Sequence, residues 1–266
     1  MNQLPRITVI TPSYNQGDFI DQTIQSVLGQ GYPDLEYIVM DGGSTDQTVE
    51  ILRKYGQQFF WVSKKDRGQS DAINQGLRKA SGEIVCFLNS DDVYEPGALL
   101  KVGQFFADHP DAAWLTGKCR VIDPQGHETR KLITAYKNFW LFFKSYSVLL
   151  VIDYISQPAT FWRKEVIQKV GYFDENLHFS MDYDYSLRVG KCYKLHFVNN
   201  YLASFRVHPA SKSGLIRDHF NTDLSISRRY ANSTFLVRLH ALHNALIVAA
   251  YGRLQASWKK ASASQP

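Results

Sequence analysis

Four short apolar segments in the first half of the chain have the pattern of buried β-strands. They are rich in β-branched and aromatic residues and lack the polar alternation of a half-exposed strand. The segments are residues 7–11, 36–40, 59–62 and 83–88. Apolar residues at helical spacing separate them, so the order of elements predicts an α/β fold with a mostly parallel central sheet flanked by helices.

Candidate helix-capping residues and the apolar pattern of the second half of the chain add detail to this prediction. Asp46 is expected to cap a helix over residues 48–55, and Ser70 is expected to cap the helix after the third strand. Residues 113–122 are expected to form a mixed part of the sheet, whereas the aromatic-rich stretch that follows is irregular. Apolar residues at helical spacing after residue 221 predict a helical C-terminal extension.

The composition fits one main domain, expected over residues 1–220, and a tail over residues 221–266. Of the 266 residues, 44% are hydrophobic and 14% aromatic, as in an ordinary globular core. Three widely spaced cysteines without a CxxC pair disfavour a zinc site or a disulfide framework and favour a reducing, cytoplasmic setting. Neither a signal peptide nor an apolar run of the roughly 20 residues that span a bilayer is predicted.

Positive charge is concentrated near the C-terminus. From residue 206 onward there are nine lysines and arginines but two aspartates, an excess larger than the net charge of +5 of the whole chain. Such a basic tail attracts phosphates, anionic lipid or nucleic acid, but a solvated helix face explains it equally well.

The loops after the four predicted strands are polar and partly acidic. They comprise residues 12–15, 41–46, 64–68 and 89–92. In open α/β sheets, ligands bind outside the carboxyl ends of the strands. The sequence therefore predicts one acidic crevice at this edge of the sheet.

Asp91 and Asp92 are the strongest chemical signal in these loops. Two adjacent carboxylates at the end of a buried strand require neutralisation, and Mg²⁺ or Mn²⁺ shared with substrate phosphates would provide it. The alternative is that both residues cap the helix near Pro96. Asp41 lies at the end of the second predicted strand, where dinucleotide-binding folds also have an aspartate. In those folds a glycine-rich turn follows the first strand, and residues 12–17 lack such a turn.

Taken together, the four loops resemble the motifs of family 2 glycosyltransferases. The matching segments are TPSYN at 11–15, VMDGGSTD at 39–46, DRGQSD at 66–71 and LNSDD at 88–92. The resemblance covers residues 5–210 and implies a GT-A fold that inverts configuration at the anomeric carbon. It also implies a nucleotide-binding half to about residue 120 and an acceptor half over residues 121–220.

By position, the resemblance implies roles for several residues on the donor side. Pro12 and Tyr14 would line the nucleotide pocket, Asp41 would bind the base, and Asp66 with Arg67 would lie beside it. For Asp66 the alternative is a loop carboxylate paired with Arg67.

The same resemblance assigns the two adjacent aspartates and two later basic residues. Asp91 would face the ribose, and Asp92 would hold the metal, Mn²⁺ or Mg²⁺. Arg206 would stabilise the diphosphate, and neutral His208 would ligate the metal. The alternative for His208 is a structural histidine.

On the acceptor side, residues 179–188 resemble the Glu-Asp-x-Asp segment of the family. Asp182 would be the catalytic base, with Asp184 as its support and Gln157 beneath the acceptor pocket. Met181 departs from the more frequent glutamate. The alternative is that Asp182 or Asp184 caps the helix that leads to Arg188.

The resulting functional prediction is metal-assisted single displacement from a nucleotide-diphosphate sugar, expected to be a UDP-sugar, to a hydroxyl of a glycan or lipid-linked glycan. Aromatic residues 139–143 and apolar residues 148–151 either contact a lipid carrier or belong to the core. With the basic tail, they would suit an enzyme at the cytoplasmic face of an anionic membrane, and the tail could also form a homodimer.

Two other functional classes are weaker. A nucleotidyltransferase of related architecture would need a glycine-rich basic phosphate loop, which residues 12–17 do not provide. A nucleic-acid- or anion-binding protein using the tail would leave the acidic strand ends unexplained, so nucleic acid is not an expected partner.

Overall fold

The computed structural model describes residues 3–209, 211 and 216–263, and within them nine strands form one sheet. The strands are β1 (Ile7–Ser13), β2 (Leu35–Asp41), β3 (Phe60–Ser63), β4 (Ile84–Phe87), β5 (Val93–Tyr94), β6 (Trp114–Ile122), β7 (Glu128–Thr129), β8 (Thr160–Arg163) and β9 (Leu195–Arg206).

Helices cover the sheet and continue into the C-terminal part of the chain. They are α1 (Ile20–Leu28), α2 (Thr48–Lys54), α3 (Gln69–Lys79), α4 (Ala98–Asp108), α5 (Lys131–Leu141), α6 (Tyr146–Leu149), α7 (Glu165–Val170), α8 (Met181–Gly190), α9 (Ile216–Tyr230) and α10 (Thr234–Ala263). A 3₁₀ turn over Gln157–Ala159 precedes β8.

The sheet has the order β3-β2-β1-β4-β8-β6-β9-β5, with β7 paired to β6. The first four strands in this order run parallel, as expected from the alternation of strands and helices. From β8 onward the pairing is mixed, with β4 and β6 both antiparallel to β8. All four loops predicted to carry the site therefore leave the same edge of the sheet.

Strand β1 is buried on both faces and separates two hydrophobic clusters. Ile7 and Val9 pack into the cluster that contains Ile24 of α1, whereas Ile10 packs into the cluster that contains Ile73 of α3. Successive side chains of a strand point to opposite faces. This accounts for the continuous apolar run that identifies β1 in the sequence.

One of the two predicted helix caps is confirmed and the other is wrong. Asp46 Oδ1 accepts a hydrogen bond from Thr48 N at 3.0 Å, at the start of α2. Ser70 instead lies inside α3, with its hydroxyl against the sulfur of Met181. The helix begins earlier because Asp71 accepts a hydrogen bond from Arg67 N.

Of two further predictions of local structure, one is confirmed and one is wrong. Residues 114–122 form one strand, β6, which is antiparallel to β8 and parallel to β9, so this part of the sheet is mixed as predicted. The aromatic-rich stretch expected to be irregular contains α5 and α6, because Leu141 and Leu149 give these helices buried positions in the core.

The C-terminal helices pack onto the main domain. The predicted boundary between residues 220 and 221 lies inside α9, where Ile226 and Ser227 are fully buried. In α10, His240 Nδ1 lies 2.8 Å from the carbonyl oxygen of Leu150. Among the residues that the structure describes, none of the helices has the length and apolar character needed to cross a membrane.

Candidate active site

A cavity of about 860 Å³ opens at the carboxyl ends of the parallel strands. Six residues singled out in the sequence line it, namely Pro12, Tyr14, Asp66, Asp91, Gln157 and Asp182. Most lining residues come from the ends of β1, β2, β3 and β4 with the loops that follow them and from the start of α8, and others come from the 3₁₀ turn, β9 and α9. The predicted crevice is therefore present, and residues far apart in the chain meet in it.

Hydrogen bonds fasten the loops after β1 and β2 to each other. Asn15 Oδ1 accepts from Thr45 N at 2.9 Å, and Asn15 N donates to Ser44 Oγ at 2.8 Å. Asp46 Oδ2 accepts from Gly17 N at 2.8 Å. Tyr14 is 61% exposed at the mouth of the cavity, with Pro12 buried two residues before it.

Asp41 holds the backbone of its own loop. Its carboxylate accepts hydrogen bonds from Gly43 N, Ser44 N, Ser44 Oγ and Ser63 Oγ. The residue is buried, and the cavity is lined instead by Gly42 and Gly43. Asp41 therefore shapes the wall of the cavity, and its direct contact with a base stays a prediction.

Asp66 lies directly against Gly42. A Cβ atom built at Gly42 would be 2.7 Å from Asp66 Oδ2, so the close approach requires glycine. Burial, together with the negative charges of Asp71 and Asp41, raises the pKa of Asp66 although Gly68 N donates a hydrogen bond to it. Such a carboxyl group beside a cavity is a candidate for contact with a ligand.

Arg67 turns away from the cavity and does not pair with Asp66. Its guanidinium lies 3.1 Å from Asp71 Oδ1 and 2.6 Å from Glu175 Oε2, and the side chain is 71% exposed. Two other carboxylates therefore hold Arg67 on the outer surface, and its position beside the base stays a prediction. The alternative interpretation of Asp66 as its ion-pair partner is also wrong.

The adjacent aspartates after β4 point in different directions. Asp91 lines the cavity with a side chain that is 16% exposed. Asp92 is fully buried, and its two oxygens accept hydrogen bonds from Arg206 N at 2.8 Å and Asn89 Nδ2 at 3.3 Å. Burial and the charge of Asp91 raise the pKa of Asp92 well above its usual value. Asp92 therefore ties β4 to β9, and the carboxylate on the cavity is that of Asp91.

Arg206 is also structural rather than open to a diphosphate. It is 1% exposed, and its guanidinium donates to the carbonyl oxygens of Asp91, Asp123 and Pro124 and to Gln22 Oε1. The side chain thereby links the loop after β4, the loop after β6 and helix α1. Arg206 does not line the cavity, so the structure does not support its predicted contact with the diphosphate.

His208 approaches the cavity only through Asp91. Its Nε2 atom lies 3.1 Å from Asp91 Oδ2, and its ring packs at 4.6 Å between centroids against Phe19. The side chain is 6% exposed. His208 is thus close enough to share a cation with Asp91, and it also orients that carboxylate.

The donor set at Asp91 fits a hard divalent cation that brings its own phosphate ligands. Asp91 offers a carboxylate to the cavity, and Gln157 Oε1, which belongs to another lining residue, is buried and has no hydrogen-bond partner among the described residues. Within the described ranges no group of three or more ligating side chains forms a closed metal cage. Mg²⁺ commonly uses one or two protein carboxylates and completes its shell with water and substrate phosphates.

Asp182 and Asp184 have different surroundings although both lie in the first turn of α8. Asp182 lines the cavity. Asp184 is buried and accepts hydrogen bonds from Arg188 Nε at 2.9 Å and Tyr230 OH at 2.6 Å. The predicted support of Asp182 by Asp184 is therefore replaced by a structural role, in which Asp184 docks α9 against α8.

Gln157 lies at the base of the cavity, where a hydrogen bond fixes it. Other lining residues were not predicted from the sequence. Gln157 Nε2 donates to the carbonyl oxygen of Phe87 at 2.6 Å. Lys65, Ser180 and His219 also line the cavity. His219 lies at the end of the predicted acceptor half, and its spacing of four residues to Asp223 was the available signal.

The Glycosyl transferase family 2 model matches residues 8–171, which is more than half of the chain. An uncharacterized glycosyltransferase of Rickettsia prowazekii is 27% identical over 242 residues, covering 88% of this chain and 73% of the relative. The poly-beta-1,6-N-acetyl-D-glucosamine synthase of Staphylococcus epidermidis is 29% identical over 185 residues, covering 66% of this chain. The chain spans 43% of the length of that synthase.

Two solved structures have the same fold at low sequence identity. The mannosyltransferase PcManGT from Pyrobaculum calidifontis, solved with GDP-Man and Mn²⁺, has a TM-score of 0.68 at 19% identity and covers 99% of this chain and 82% of its own. S. aureus TarS in complex with UDP-GlcNAc has a TM-score of 0.62 at 19% identity, and the match covers 90% of this chain and 69% of the TarS chain. With the GT-A architecture and the family match in agreement, the chain belongs to the family 2 glycosyltransferases.

Proposed function

We propose that this glycosyltransferase moves a sugar from a nucleotide-diphosphate donor to an acceptor hydroxyl by a single displacement that inverts the anomeric carbon. The observation that carries the proposal is that Asp91 and Asp182 line one cavity together with the loops of the nucleotide half. A metal-directed carboxylate and a free carboxylate in one cavity are the two groups that such a displacement needs.

The donor side of the cavity is formed by Pro12, Tyr14, Gly42, Gly43 and Asp66. Two structural neighbours hold nucleotide sugars, UDP-GlcNAc in TarS and GDP-Man in PcManGT. Tyr14 offers an exposed ring for stacking on a base, and Asp66 offers hydrogen-bonding oxygens. A UDP-sugar is the expected donor.

Asp182 is the proposed base. As the acceptor oxygen attacks the anomeric carbon, its proton passes to the Asp182 carboxylate, and the bond from the anomeric carbon to the diphosphate oxygen breaks. The nucleoside diphosphate leaves with the bonding electrons. Because the attack comes from the face opposite the leaving group, the configuration inverts.

Asp91, with His208 behind it, is the proposed holder of Mn²⁺ or Mg²⁺. The Mn²⁺ in the PcManGT structure supports this assignment. A cation held there would neutralise negative charge on the departing diphosphate. Asp92, assigned to the metal in the sequence analysis, contributes by fixing the loop that carries Asp91.

The proposed acceptor is a glycan or lipid-linked glycan at the cytoplasmic face of a membrane. Phe139, Phe142 and Phe143 at the end of α5 are 54–56% exposed, with Lys144 beside them. We define these four residues as the aromatic surface; exposed aromatics beside a cation favour an anionic lipid interface. Of the second apolar run, Leu149 and Leu150 are core residues, so it does not extend this surface. Dimerisation through α10 stays a prediction.

The test is calorimetric titration of UDP, GDP and dTDP with and without Mn²⁺ into wild-type protein and the Asp91→Asn and Asp92→Asn variants. We expect one nucleotide to bind in a Mn²⁺-dependent way, and Asp91→Asn to remove the dependence on Mn²⁺. Asp92→Asn is the matched control, because it keeps the acceptor for Arg206 N.

Three results would contradict the proposal. Mn²⁺-independent binding of all three nucleotides, or loss of the Mn²⁺ effect in Asp92→Asn but not in Asp91→Asn, would remove Asp91 from the metal site. Retention of transfer in Asp182→Asn would remove Asp182 as the base.

A further inference from the structure

Helix α10 has an apolar face that no described part of the chain covers. Its exposed residues over 234–249, where the structure describes the side chains, are Thr234, Phe235, Arg238, Leu242, Ala245, Leu246 and Ala249. Phe235, Leu242 and Leu246, which we call the α10 stripe, are 57–64% exposed. The solvent face of a helix is normally polar, so an exposed apolar stripe indicates an interaction surface.

The opposite face of the same helix is the one that packs on the protein. His240 is buried beside the carbonyl oxygen of Leu150, and Asn244 Nδ2 donates to the carbonyl oxygen of Phe220 at 3.1 Å. At 3.6 residues per turn, Leu242 and Leu246 lie about half a turn around the helix axis from these two residues. The hydrophobic core therefore does not account for the α10 stripe.

Ring contacts join α10 to the aromatic surface of α5. His243 of α10 has its Nε2 atom 2.9 Å from Tyr136 OH, with the two rings stacked at 6.1 Å between centroids. Tyr136 packs against Trp140 at 6.2 Å, and Trp140 contacts Phe139 and Phe143 at 5.4 and 5.5 Å. The aromatic surface and the α10 stripe therefore belong to two helices in direct contact.

The two segments that carry these surfaces contain no acidic residue. None of the 25 aspartates and glutamates of the chain falls in residues 129–152 or 224–266, whereas these segments hold four and six lysines and arginines. Lys137 pairs with Asp153, and Arg238 lies on the exposed face of α10. Apolar side chains on segments that carry only cations are complementary to an anionic bilayer.

A second copy of the chain is the other occupant that would cover the α10 stripe. Two α10 helices packed on each other would bring together two copies of residues 224–266, which carry cations and no carboxylate. Helix pairs are commonly held in register by opposite charges beside the apolar seam. Charge complementarity therefore favours anionic lipid over a second copy.

We infer that α10 lies on an anionic membrane, with the α10 stripe inserted among the lipids beside the aromatic surface. The inference rests on the proposed location of the enzyme at a membrane and adds a second element to that contact. An interfacial helix buries its apolar face at the boundary between headgroups and acyl chains. Two inserted helices also fix how the molecule sits on the membrane, because a single contact would allow it to rotate.

The lipid-binding helices are connected to the helix that carries Asp182. Tyr183 of α8 donates its hydroxyl hydrogen to the carbonyl oxygen of Leu149 at 2.9 Å, and His240 of α10 lies 2.8 Å from the next carbonyl oxygen, that of Leu150. Helix α6 therefore bridges α8 and α10. The proposed base is thereby tied to the membrane contact, which suits an acceptor hydroxyl on a lipid-linked glycan.

The test is sedimentation of the full chain with phosphatidylglycerol vesicles and with phosphatidylcholine vesicles. We expect wild type to bind phosphatidylglycerol more tightly, and to bind it less as the salt concentration rises. Leu242→Gln combined with Leu246→Gln should weaken this binding by at least about tenfold, because two large apolar side chains no longer insert. Arg238→Glu should also weaken it, because the new carboxylate is repelled by the lipid headgroups.

Helix α4 supplies the matched controls. Leu100 is 51% exposed and Lys101 is exposed beside it, on a helix that packs into the other hydrophobic cluster, the one that contains Ile24. Leu100→Gln and Lys101→Glu should bind vesicles as wild type does. Far-UV circular dichroism shows whether each variant keeps its helices.

Three outcomes would overturn the inference. The first is unchanged vesicle binding by the Leu242→Gln/Leu246→Gln variant, and the second is equal binding of wild type to both lipids. The third concerns the second copy and is measured by analytical ultracentrifugation without lipid. A wild-type dimer that becomes a monomer in Leu242→Gln/Leu246→Gln would assign the α10 stripe to a protein interface.

Sedimentation needs neither donor nor metal, so its outcome is separate from that of the nucleotide titration. Binding that is lost in Phe142→Ser/Phe143→Ser but kept in Leu242→Gln/Leu246→Gln would reject this inference and leave the proposed membrane location intact. No binding of wild type to either lipid would reject the membrane location as well, whereas the transfer mechanism would still be decided by the nucleotide titration.

Discussion

Asp92 Oδ1 accepts a hydrogen bond from the backbone N–H of Arg206 at 2.8 Å, while the guanidinium of the same arginine donates to the carbonyl oxygen of Asp91. The end of β9 thereby clamps the loop after β4 from two sides. One aspartate of the pair is used for this clamp, and the other is left at the cavity. Strand β9, more than a hundred residues away in sequence, therefore determines that Asp92 is bonded within the fold and that Asp91 faces the cavity.

The clamp predicts different effects for substitutions at the two aspartates. Asp92→Ala leaves Arg206 N buried without an acceptor, so the free energy of unfolding should fall by about 1–3 kcal/mol. Asp91→Ala should change stability much less because its side chain faces the cavity. Urea denaturation of both variants checks this, and equal losses would contradict the clamp.

Asp182→Asn should lower the rate of sugar transfer or donor hydrolysis by about 10²- to 10⁴-fold, because the amide cannot accept the proton. Nucleotide binding should be unchanged, since Asp182 lies on the acceptor side. Rates are compared with calorimetric affinities of the same preparations, and a parallel loss of both would mean that the variant has disturbed the donor site instead.

Gly42→Ala should displace Asp66, because the new Cβ would lie 2.7 Å from its Oδ2 atom. We expect nucleotide affinity to fall by about tenfold. The double variant Gly42→Ala/Asp66→Ala is the control. If the clash with Asp66 is the cause, adding Gly42→Ala to Asp66→Ala should cost little further affinity, whereas fully additive losses would place the effect elsewhere in the loop.

The stability of the fold should depend on pH through His219. Its pKa in the folded state, about 9, lies above the value of about 6.5 in an unfolded chain. The folded state therefore binds this proton more tightly, and the resulting stabilisation is complete below about pH 6.5 and is lost as the pH rises through 9. Unfolding free energies of wild type and His219→Gln should converge at high pH, and a constant difference from pH 6 to pH 10 would be inconsistent with this linkage.

The aromatic surface should bind anionic lipid. Phe142→Ser combined with Phe143→Ser should weaken sedimentation with phosphatidylglycerol vesicles by at least about tenfold, because each ring contributes roughly 1.5–3 kcal/mol when buried. Phe60→Ser is the matched control, as Phe60 is 46% exposed on the edge strand β3. Equal binding by all three proteins would locate any lipid contact elsewhere.

Patterns along the chain are enough to identify the family, the parallel half of the sheet and the loops that carry the site. These properties are local: a buried strand needs a continuous apolar run, as in β1, and a loop at its carboxyl end can be polar because it meets solvent. The strand ends therefore predicted that Asp66 and Asp91 belong to one crevice, the resemblance to the family added Asp182, and all three line the cavity.

Long-range packing determines which polar residues face the cavity and which ones form hydrogen bonds or ion pairs within the fold. Asp91 and Asp92 are equivalent in sequence, but β9 brings a backbone N–H to Asp92 alone. Arg206, Arg67 and Asp184 were assigned by motif, yet carbonyl oxygens, carboxylates and Tyr230 from distant segments satisfy them first. His219 enters the site because the packing of α9 against α8 carries it there. Burial and hydrogen-bond partners depend on long-range contacts, and spacing along the chain does not encode them.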